Sequence, residues 1–422
     1  MQTTAPKVRT VTATLQASSD APGRRRRRRD GASLTVTRIR TFYEANALQA
    51  DWQALYQGSG TGNPFASPDW LLPWARHFVP ERDLDIIAVR RDATLIGLAP
   101  CYAKRAPLMP RRLQLLGSGR HDALTELPQV LTAPDEARSV LRAVIGEWSR
   151  QPADWGWLEL PVMVDQGWFE PEWLTGRVGE RGIVLHKATR ANVVLDLPSD
   201  LPALRAGFKR NLRESTRRGR NRLDRTGLPW NITAHEEPVD VIPALEVLAA
   251  LHALRAGLVG RRKHPNQLAV AARRQFLREA VVAMARRGQA RILTLDVAGL
   301  PVAAQLVLDS PIGSYLGISG VDPQWWQASP LTLLTLHAAE AAVLRGYREF
   351  NLSAGPSVSK LRWSEQVRQH PEFLVCGPRR SSRLAFTGYR MAAAVAAVRR
   401  EASRNGPSGN CKERERADPG AC

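Results

Sequence analysis

The sequence predicts an α/β (α+β) protein of two lobes, each a mixed, mostly antiparallel sheet flanked by helices. The chain has 422 residues, 44% hydrophobic and 24% charged, which suits two globular cores. Its second half reads as helices, three consecutive strands, an apolar helix and another strand. The predicted parts are a disordered basic tail (1–33), a first lobe (34–190), a second lobe (191–378) and a basic C-terminal tail (379–422).

Alternating and helical periodicities place the elements within each lobe. The first lobe is predicted to contain strand 34–39, helix 68–78, strands 84–89, 94–102 and 113–116, helix 137–148 and strand 157–160. The second lobe is predicted to contain a basic surface helix (205–225), strand 230–234, helices 241–256 and 268–287, strands 290–297, 300–308 and 314–320, helix 331–344 and strand 348–353.

The net charge of +20 is concentrated in three segments. Residues 1–30 and 379–422 each carry +6, and residues 205–225 carry +7, so the remaining lobes are nearly neutral. The six consecutive arginines at 24–29 could dock on a polyanion or form a solvated tail. No zinc-finger or RRM signature accompanies the charge, so nucleic acid is not the expected partner.

The four cysteines are widely spaced, which predicts a reducing compartment. No apolar run is long enough for a signal peptide or a membrane span. We therefore expect a cytoplasmic protein without a transmembrane segment. The histidines are dispersed, and neither an HExxH nor a CxxC spacing occurs, so no metal site is predicted.

Two neighbouring features of the second lobe indicate a ligand site. Ser329 and Pro330 open an apolar helix, and the free N–H groups of a helix start can hold phosphate. The strand over 314–320 is poor in bulky side chains near its end, which allows close approach of a ligand. Each feature also has a purely structural reading, as a capped core helix and as a strand with a glycine bulge.

These segments, in this order, resemble the BioF2-like and CelD-type acetyltransferases of the GNAT superfamily and, more distantly, the FemABX transferases. The resemblance covers residues 40–375, with both lobes GNAT-like and the first on the acceptor side. It is carried by Phe65–Leu71, Leu115–Gly119 with Asp122, Phe208–Leu223, Val321–Pro323, Ser329-Pro330, and Phe350–Leu352 through Gly355 to Lys360 and Trp363. Leu331 and Asn351 stand where relatives usually have Gly and Asp.

The resemblance implies an acyl-CoA-dependent N-acyltransferase, with acetyl-CoA or another acyl-CoA as cosubstrate and no metal. The implied donor-binding residues are Gly317, Ser319, Ser329, Pro330, Leu331 and Thr332. Asp322, Lys360 and Tyr315 are the candidate catalytic residues, with Asp322 also readable as a turn opener. The candidate acceptor-side residues are Ser118, His121, Asp122, Lys209, Arg213 and Arg362.

The acceptor is expected to be a small-molecule or cell-envelope-precursor amine that attacks the thioester directly. The general base, acyl length and oligomeric state stay open. Two alternatives remain at this stage. One is a FemABX-like transferase that uses aminoacyl-tRNA, which would suit the basic segments. The other is a polyanion-binding accessory protein whose acyl site has decayed, which the residues Leu331 and Asn351 permit.

Overall fold

The computed structural model describes seven stretches of the chain, which are residues 34–106, 109–119, 124–150, 156–161, 183–258, 264–377 and 379–405. The predicted tail at 1–33 and the last residues, 406–422, therefore lie outside the described residues. Everything that follows concerns the described stretches.

The elements of the first half agree closely with the predicted ones. They are β1 (Leu34–Ile39), α1 (Phe42–Ala47), α2 (Gln49–Gly58), α3 (Pro68–Phe78), β2 (Leu84–Arg91), β3 (Thr94–Ala106), β4 (Met109–Leu115), β5 (Leu131–Thr132), α4 (Ala137–Arg150) and β6 (Trp157–Pro161). Helix α3 begins as predicted, because the Ser67 side chain accepts from the Trp70 N–H and Pro68 occupies the first turn.

The second half also follows the predicted order. Its elements are β7 (Ile183–Asp196), α5 (Leu201–Gly207), α6 (Arg210–Asp224), β8 (Trp230–His235), α7 (Pro238–Ala256), α8 (Ala271–Ala285), β9 (Ala290–Val297), β10 (Leu300–Asp309), β11 (Gly313–Val321), α9 (Pro330–Leu344), β12 (Glu349–Ala354), α10 (Val358–Leu361), β13 (Val367–Cys376) and α11 (Arg380–Asn405). A 3₁₀ helix, Pro323–Ala328, precedes α9.

Within the described residues, thirteen strands form one sheet in the order β1-β2-β3-β4-β6-β13-β7-β12-β11-β10-β9-β8, with β5 paired to β3. Neighbours are antiparallel except β4 with β6 and β11 with β12. Each half thus contains four antiparallel strands followed by one parallel strand. The predicted fold class, a mixed and mostly antiparallel sheet with flanking helices, is confirmed.

The two faces of the second half of the sheet bury different helices. Ala304, Leu306 and Leu308 of β10 belong to the core that includes α7, α8 and the helices of the first half. Ala303 and Val307 belong to the core beneath α5, α6 and α9. This division follows from the alternation of side chains along a strand. Helices α7 and α9 therefore lie on opposite faces of the sheet.

The basic segment 205–225 is a surface helix, but it is shorter than predicted. Phe208 adopts an extended backbone and separates α5 from α6. Its ring is buried and packs edge-on against Trp363 at 5.5 Å between centroids. Burial of this aromatic ring favours the break over a continuous helix. Leu212 and Leu223 fasten α6 to the core.

Three elements near the ends of the lobes depart from the predicted organisation. Strand β7 crosses the predicted boundary between residues 190 and 191, and β13 was missed. These two strands pair with each other, while β13 also pairs with β6 and β7 with β12. Helix α11 replaces part of the predicted tail, because Phe386 is buried against Trp157. The division into two lobes at residue 190 stays a prediction.

His370 of β13 gives a prediction about stability and pH. It is 3% exposed, and neither ring nitrogen has a hydrogen-bond partner among the described residues. Burial, with repulsion from Arg368 and Arg190, lowers the pKa of His370 to about 4. In the unfolded chain its pKa is about 6.5. Between these two values the unfolded state binds a proton that the folded state does not. The contribution of His370 to the free energy of unfolding is therefore highest above pH 6.5 and falls as the pH approaches 4.

We expect the free energy of unfolding to contain a loss of about 3 kcal/mol between pH 6.5 and pH 4 that comes from this histidine. Urea titrations of the wild type and of His370→Phe across this range measure it as the difference between the two curves. If the two curves run parallel, the histidine does not titrate in this way.

Candidate active site

The sheet opens between β11 and β12. These strands pair only from Gly313 with Glu349 to Tyr315 with Asn351. Beyond that point a cavity of about 600 Å³ separates them. Its walls include residues 316–319 of β11 and residues 352–354 of β12. Backbone groups on the facing strand edges do not pair with each other across this gap, and some of them, such as those of Ser319 and Ala354, bind side chains instead.

A β-bulge shapes the β11 wall of this cavity. The register of β10 with β11 shifts between Gln305 and Val307, so Gly317 and Ile318 lie opposite Leu306 alone. A Cβ atom on Gly317 would lie 3.2 Å from the Leu306 side chain. The absence of a side chain at this position allows the bulge to pack closely.

The start of helix α9 borders the same cavity. Residues 329–332 line it, as predicted for a ligand-binding helix start. Ser329 occupies the N-cap position with φ 52° and ψ 45°, and its side chain makes no capping hydrogen bond. Left-handed backbone at a non-glycine residue costs about 1–3 kcal/mol. Pro330 has no N–H, and the Thr332 and Leu333 N–H groups donate to the Ser329 carbonyl at 2.9 and 3.3 Å, which leaves the Leu331 N–H of the first turn for a ligand. The helix dipole gives this wall a partial positive charge.

The cavity passes through the sheet. On the α9 side it is lined by Trp326, Arg362 and Trp363, together with the helix start. On the opposite side it is lined by groups from the first half of the chain, from α7 and from the segment that follows α7, which are Phe65, Trp70, Leu124, Glu126, His252, Arg255, His264 and Gln267. A ligand entering from the α9 side can therefore meet a second ligand inside the gap between β11 and β12.

Glu126 is the one carboxylate among the described residues that line this cavity. Its oxygens accept hydrogen bonds from the Tyr315 hydroxyl, from Ser353 Oγ at 2.6 and 2.8 Å, and from the Ala354 N–H at 2.5 Å. These donors come from β11 and β12, whereas Glu126 follows β4 in the first half. The network therefore fixes a carboxylate of one half in the gap of the other.

Tyr315 is fully buried beneath this carboxylate. Burial, and then the negative charge of Glu126, raise the pKa of Tyr315 well above its usual value. The phenol therefore stays protonated and donates to Glu126, while Asn192 donates to the phenolic oxygen at 2.8 Å. Tyr315 is not among the residues that line the cavity. This places Tyr315 as a residue that positions Glu126.

Lys360 lines the cavity near the end of β12. Its ammonium donates to the Ala354 carbonyl at 2.5 Å. Burial lowers the pKa of Lys360, and the charge of Glu126 opposes that shift. Lys360 and Glu126 thus contact the carbonyl and the N–H of the same residue.

The structure brings some of the predicted site residues together and leaves others apart. Those that line the cavity are Gly317, Ser319, Ser329, Pro330, Leu331, Thr332, Lys360 and Arg362. Asp322, Ser118, Lys209 and Arg213 do not line it. The predicted His121 and Asp122 lie outside the described residues. The roles predicted for all of these residues stay predictions.

The residues away from the cavity have other contacts. Asp322 caps the 3₁₀ helix, because its carboxylate accepts from the Gln324 N–H at 3.0 Å. Ser118 donates to the Leu115 carbonyl at 2.6 Å and borders a separate, smaller cavity. Lys209 pairs with Glu365 at 2.6 Å. These contacts give Asp322 and Ser118 structural functions in turns.

Sequence reasoning missed Glu126, His252 and Arg255. Glu126 lies between Thr125 and Leu127 with no motif around it. His252 and Arg255 lie in the last turns of α7 and look like ordinary helical residues. One available signal was a carboxylate a few residues after the glycine-bearing loop at 117–119, which was itself singled out. Only pairing between distant segments shows which of these side chains enter the cavity.

Residues 210–361 match the sequence profile of the acetyltransferase (GNAT) domain. This segment is therefore similar to GNAT acetyltransferase domains. It contains the gap between β11 and β12 and the start of α9, so most of the cavity lies within the matched segment, and the first half of the chain closes it. The predicted resemblance to the GNAT superfamily is confirmed.

The solved structure of FemX supports the assignment of the fold. FemX aligns at 12% identity with a TM-score of 0.54, covering 79% of this chain and 96% of FemX. A conserved protein of unknown function from Bacteroides thetaiotaomicron aligns at 14% identity and a TM-score of 0.48, covering 81% of this chain and all of that one. A tandem GNAT protein of the clavulanic acid pathway aligns at 14% identity with a TM-score of 0.42, covering 82% of this chain and 99% of that one. No curated protein sequence matches significantly.

None of the helices in the described stretches is sufficiently long and apolar to span a bilayer. In the same stretches, no group of three or more His, Cys, Asp or Glu side chains is arranged to hold a metal ion.

Proposed function

We propose that the protein is an acyl-CoA-dependent N-acyltransferase, in which an amine attacks the thioester directly in a ternary complex. The observation that carries this proposal is the cavity that crosses the sheet between β11 and β12. It joins a helix start suited to phosphate on one face to a fixed carboxylate on the other. Acetyl-CoA or a longer acyl-CoA is the proposed donor, and a small amine is the proposed acceptor.

The α9 side of the cavity fits the donor. Arg362 lines this side, and its buried Nε has no hydrogen-bond partner among the described residues. An anion would satisfy this donor together with the Leu331 N–H of the helix start. Arg222 of α6 donates to the Gln327 carbonyl, which brings the basic helix beside the residues preceding α9. Phosphate oxygens of the donor would therefore meet converging positive charge.

Backbone N–H groups of β11 support the second part of the proposal. Where β11 parts from β12, the strand edge over residues 317–319 faces the cavity. An N–H from this edge would polarise the thioester carbonyl and stabilise the charge that develops on its oxygen. The absence of a side chain at Gly317 lets the thioester approach the backbone.

The carboxylate of Glu126 is the proposed proton acceptor. It would take a proton from the acceptor ammonium, and the resulting amine would attack the thioester carbon. A C–N bond forms, the C–S bond breaks, and the thiolate of CoA leaves and is protonated. The amine gives up its second proton as the amide forms. Tyr315 and Ser353 hold Glu126 in place throughout, and no acyl-enzyme is required.

Two substitutions of Ser329 test donor binding. Glycine adopts a left-handed backbone without strain, so Ser329→Gly should bind acetyl-CoA about as well as the wild type does. Valine disfavours that conformation and adds bulk at the helix start, so Ser329→Val should weaken binding by about tenfold or more. Isothermal titration calorimetry with acetyl-CoA and longer acyl-CoA esters measures both. Failure of every CoA ester to bind the wild type would overturn the proposed function.

A further inference from the structure

Several buried or partly buried guanidinium groups of the described sheet have an acidic partner. Arg291 pairs with Asp309 at 2.5 Å, Arg368 with Glu349 at 2.9 Å, and Arg190 with Glu372. Pairing offsets the cost of removing a charge from water. An exception at the cavity wall therefore needs a physical reason.

Among the described residues, Arg255 near the end of α7 is one such exception, half-buried on the α7 side of the cavity, and Arg362 on the α9 side is another. Its Nη1 donates to Ser319 Oγ at 2.7 Å, and the residue lines the cavity. Burial lowers the pKa of Arg255, and no acidic group of the described chain opposes the shift. A guanidinium has five N–H donors, so a single neutral hydroxyl leaves most of its bonding capacity unused.

The two histidines beside Arg255 add no positive charge to this wall. His252 Nδ1 contacts the Ser319 carbonyl at 2.9 Å, and the Gln267 N–H donates to its Nε2. This pattern fixes a neutral ring with its proton on Nδ1. His264 lies 5.3 Å from His252, centroid to centroid, and also borders the cavity. Burial lowers the pKa of both histidines, so Arg255 carries the positive charge of this wall.

We propose that Arg255 binds an anionic group of the acceptor, so that the substrate is a small amine that also carries a carboxylate or a phosphate. The proposal rests on the proposed function for the part played by the amine. Arg255 lies on the α7 face, the same side of the sheet as Glu126 and opposite the start of α9. A guanidinium binds both carboxylate and phosphate through paired N–H donors. The cavity of about 600 Å³ limits the acceptor to a small molecule.

Three product mimics separate the possible anions. N-acetylglycine carries a carboxylate, N-acetylphosphoethanolamine carries a phosphate, and N-acetylglycinamide is the neutral counterpart. We expect the wild-type protein, with CoA present, to bind at least one of the two anionic compounds and to bind the neutral one roughly 30-fold or more weakly. Titration by ligand-observed NMR measures each affinity, and the preferred anion identifies carboxylate or phosphate.

Arg255→Gln should reduce the affinity for the preferred anion to that of the neutral compound, while acetyl-CoA binding stays unchanged. Arg278→Gln is the matched control, because Arg278 is exposed on α8 and does not line the cavity. Three results would overturn this inference. They are equal binding of the neutral and anionic compounds, no binding of any of the three, and an Arg255→Gln variant whose affinity for the preferred anion is unchanged. Failure of the wild-type protein to bind acetyl-CoA would instead count against the proposed function.

Discussion

Replacing Glu126 by Gln should lower the rate of acyl transfer by about 10²- to 10⁴-fold while leaving acyl-CoA binding close to that of the wild type. The amide has nearly the shape of the carboxylate but does not accept a proton at neutral pH. Glu126 lies across the sheet from the helix start that is proposed to hold the donor, so donor affinity should be little affected. Release of free thiol from acetyl-CoA, followed with an extract fraction that supplies acceptors, measures the rate, and calorimetry measures donor binding.

The hydrogen bonds of Glu126 call for a matched comparison. Tyr315, Ser353 and the Ala354 N–H all donate to this carboxylate, so the amide NH₂ of Gln would face donors. Tyr315→Phe removes one donor but keeps the carboxylate, and its rate should fall by about tenfold or less. A Glu126→Gln variant that transfers acyl groups as fast as Tyr315→Phe would contradict a proton-accepting role. Urea unfolding of both variants separates loss of chemistry from loss of folding.

Asp309→Ala should reduce the free energy of unfolding by about 3–5 kcal/mol. Asp309 and Arg291 are 0% and 1% exposed, and their side chains lie 2.5 Å apart. Asp309 also accepts from Ser314 Oγ at 2.6 Å and from Arg345 at 3.3 Å, which links β9, β10, β11 and the end of α9. Removing the carboxylate leaves the Arg291 guanidinium buried without its counter-charge. Urea denaturation followed by tryptophan fluorescence measures the change.

Two further variants test whether this loss of stability comes from an uncompensated buried charge. Glu214→Gln breaks an exposed pair with Arg210 on α6, and it should cause no measurable change in stability. The double variant Arg291→Met with Asp309→Leu removes both charges and should lose less stability than Asp309→Ala does. If the double variant is the less stable of the two, the cost does not come from an uncompensated charge.

Local patterns predicted the second half of the chain well because its elements are strongly periodic. Strands β9, β10 and β11 alternate or run apolar between short turns, and α9 is almost wholly apolar after its Ser-Pro start. Such segments specify their conformation through nearby residues alone.

Strands β7 and β13 lack that local signal. The middle of β7 is polar and half-exposed, and β13 contains Pro371. Each becomes a strand because it pairs with distant partners: β13 lies between β6 and β7, and β7 lies between β13 and β12. The stabilising hydrogen bonds come from neighbours far away in the chain, so no window of sequence contains the information.

The sequence by itself predicted most of the elements in order and placed Ser329, Lys360 and Arg362 among the candidate site residues. Tertiary structure alone decided which carboxylate enters the cavity and which arginine has no acidic partner. Glu126 and Tyr315 are 189 residues apart, and the sheet that joins the halves brings them into contact. Charge pairing and burial are properties of three-dimensional neighbours, so Glu126 and Arg255 look like ordinary surface residues until the chain is folded.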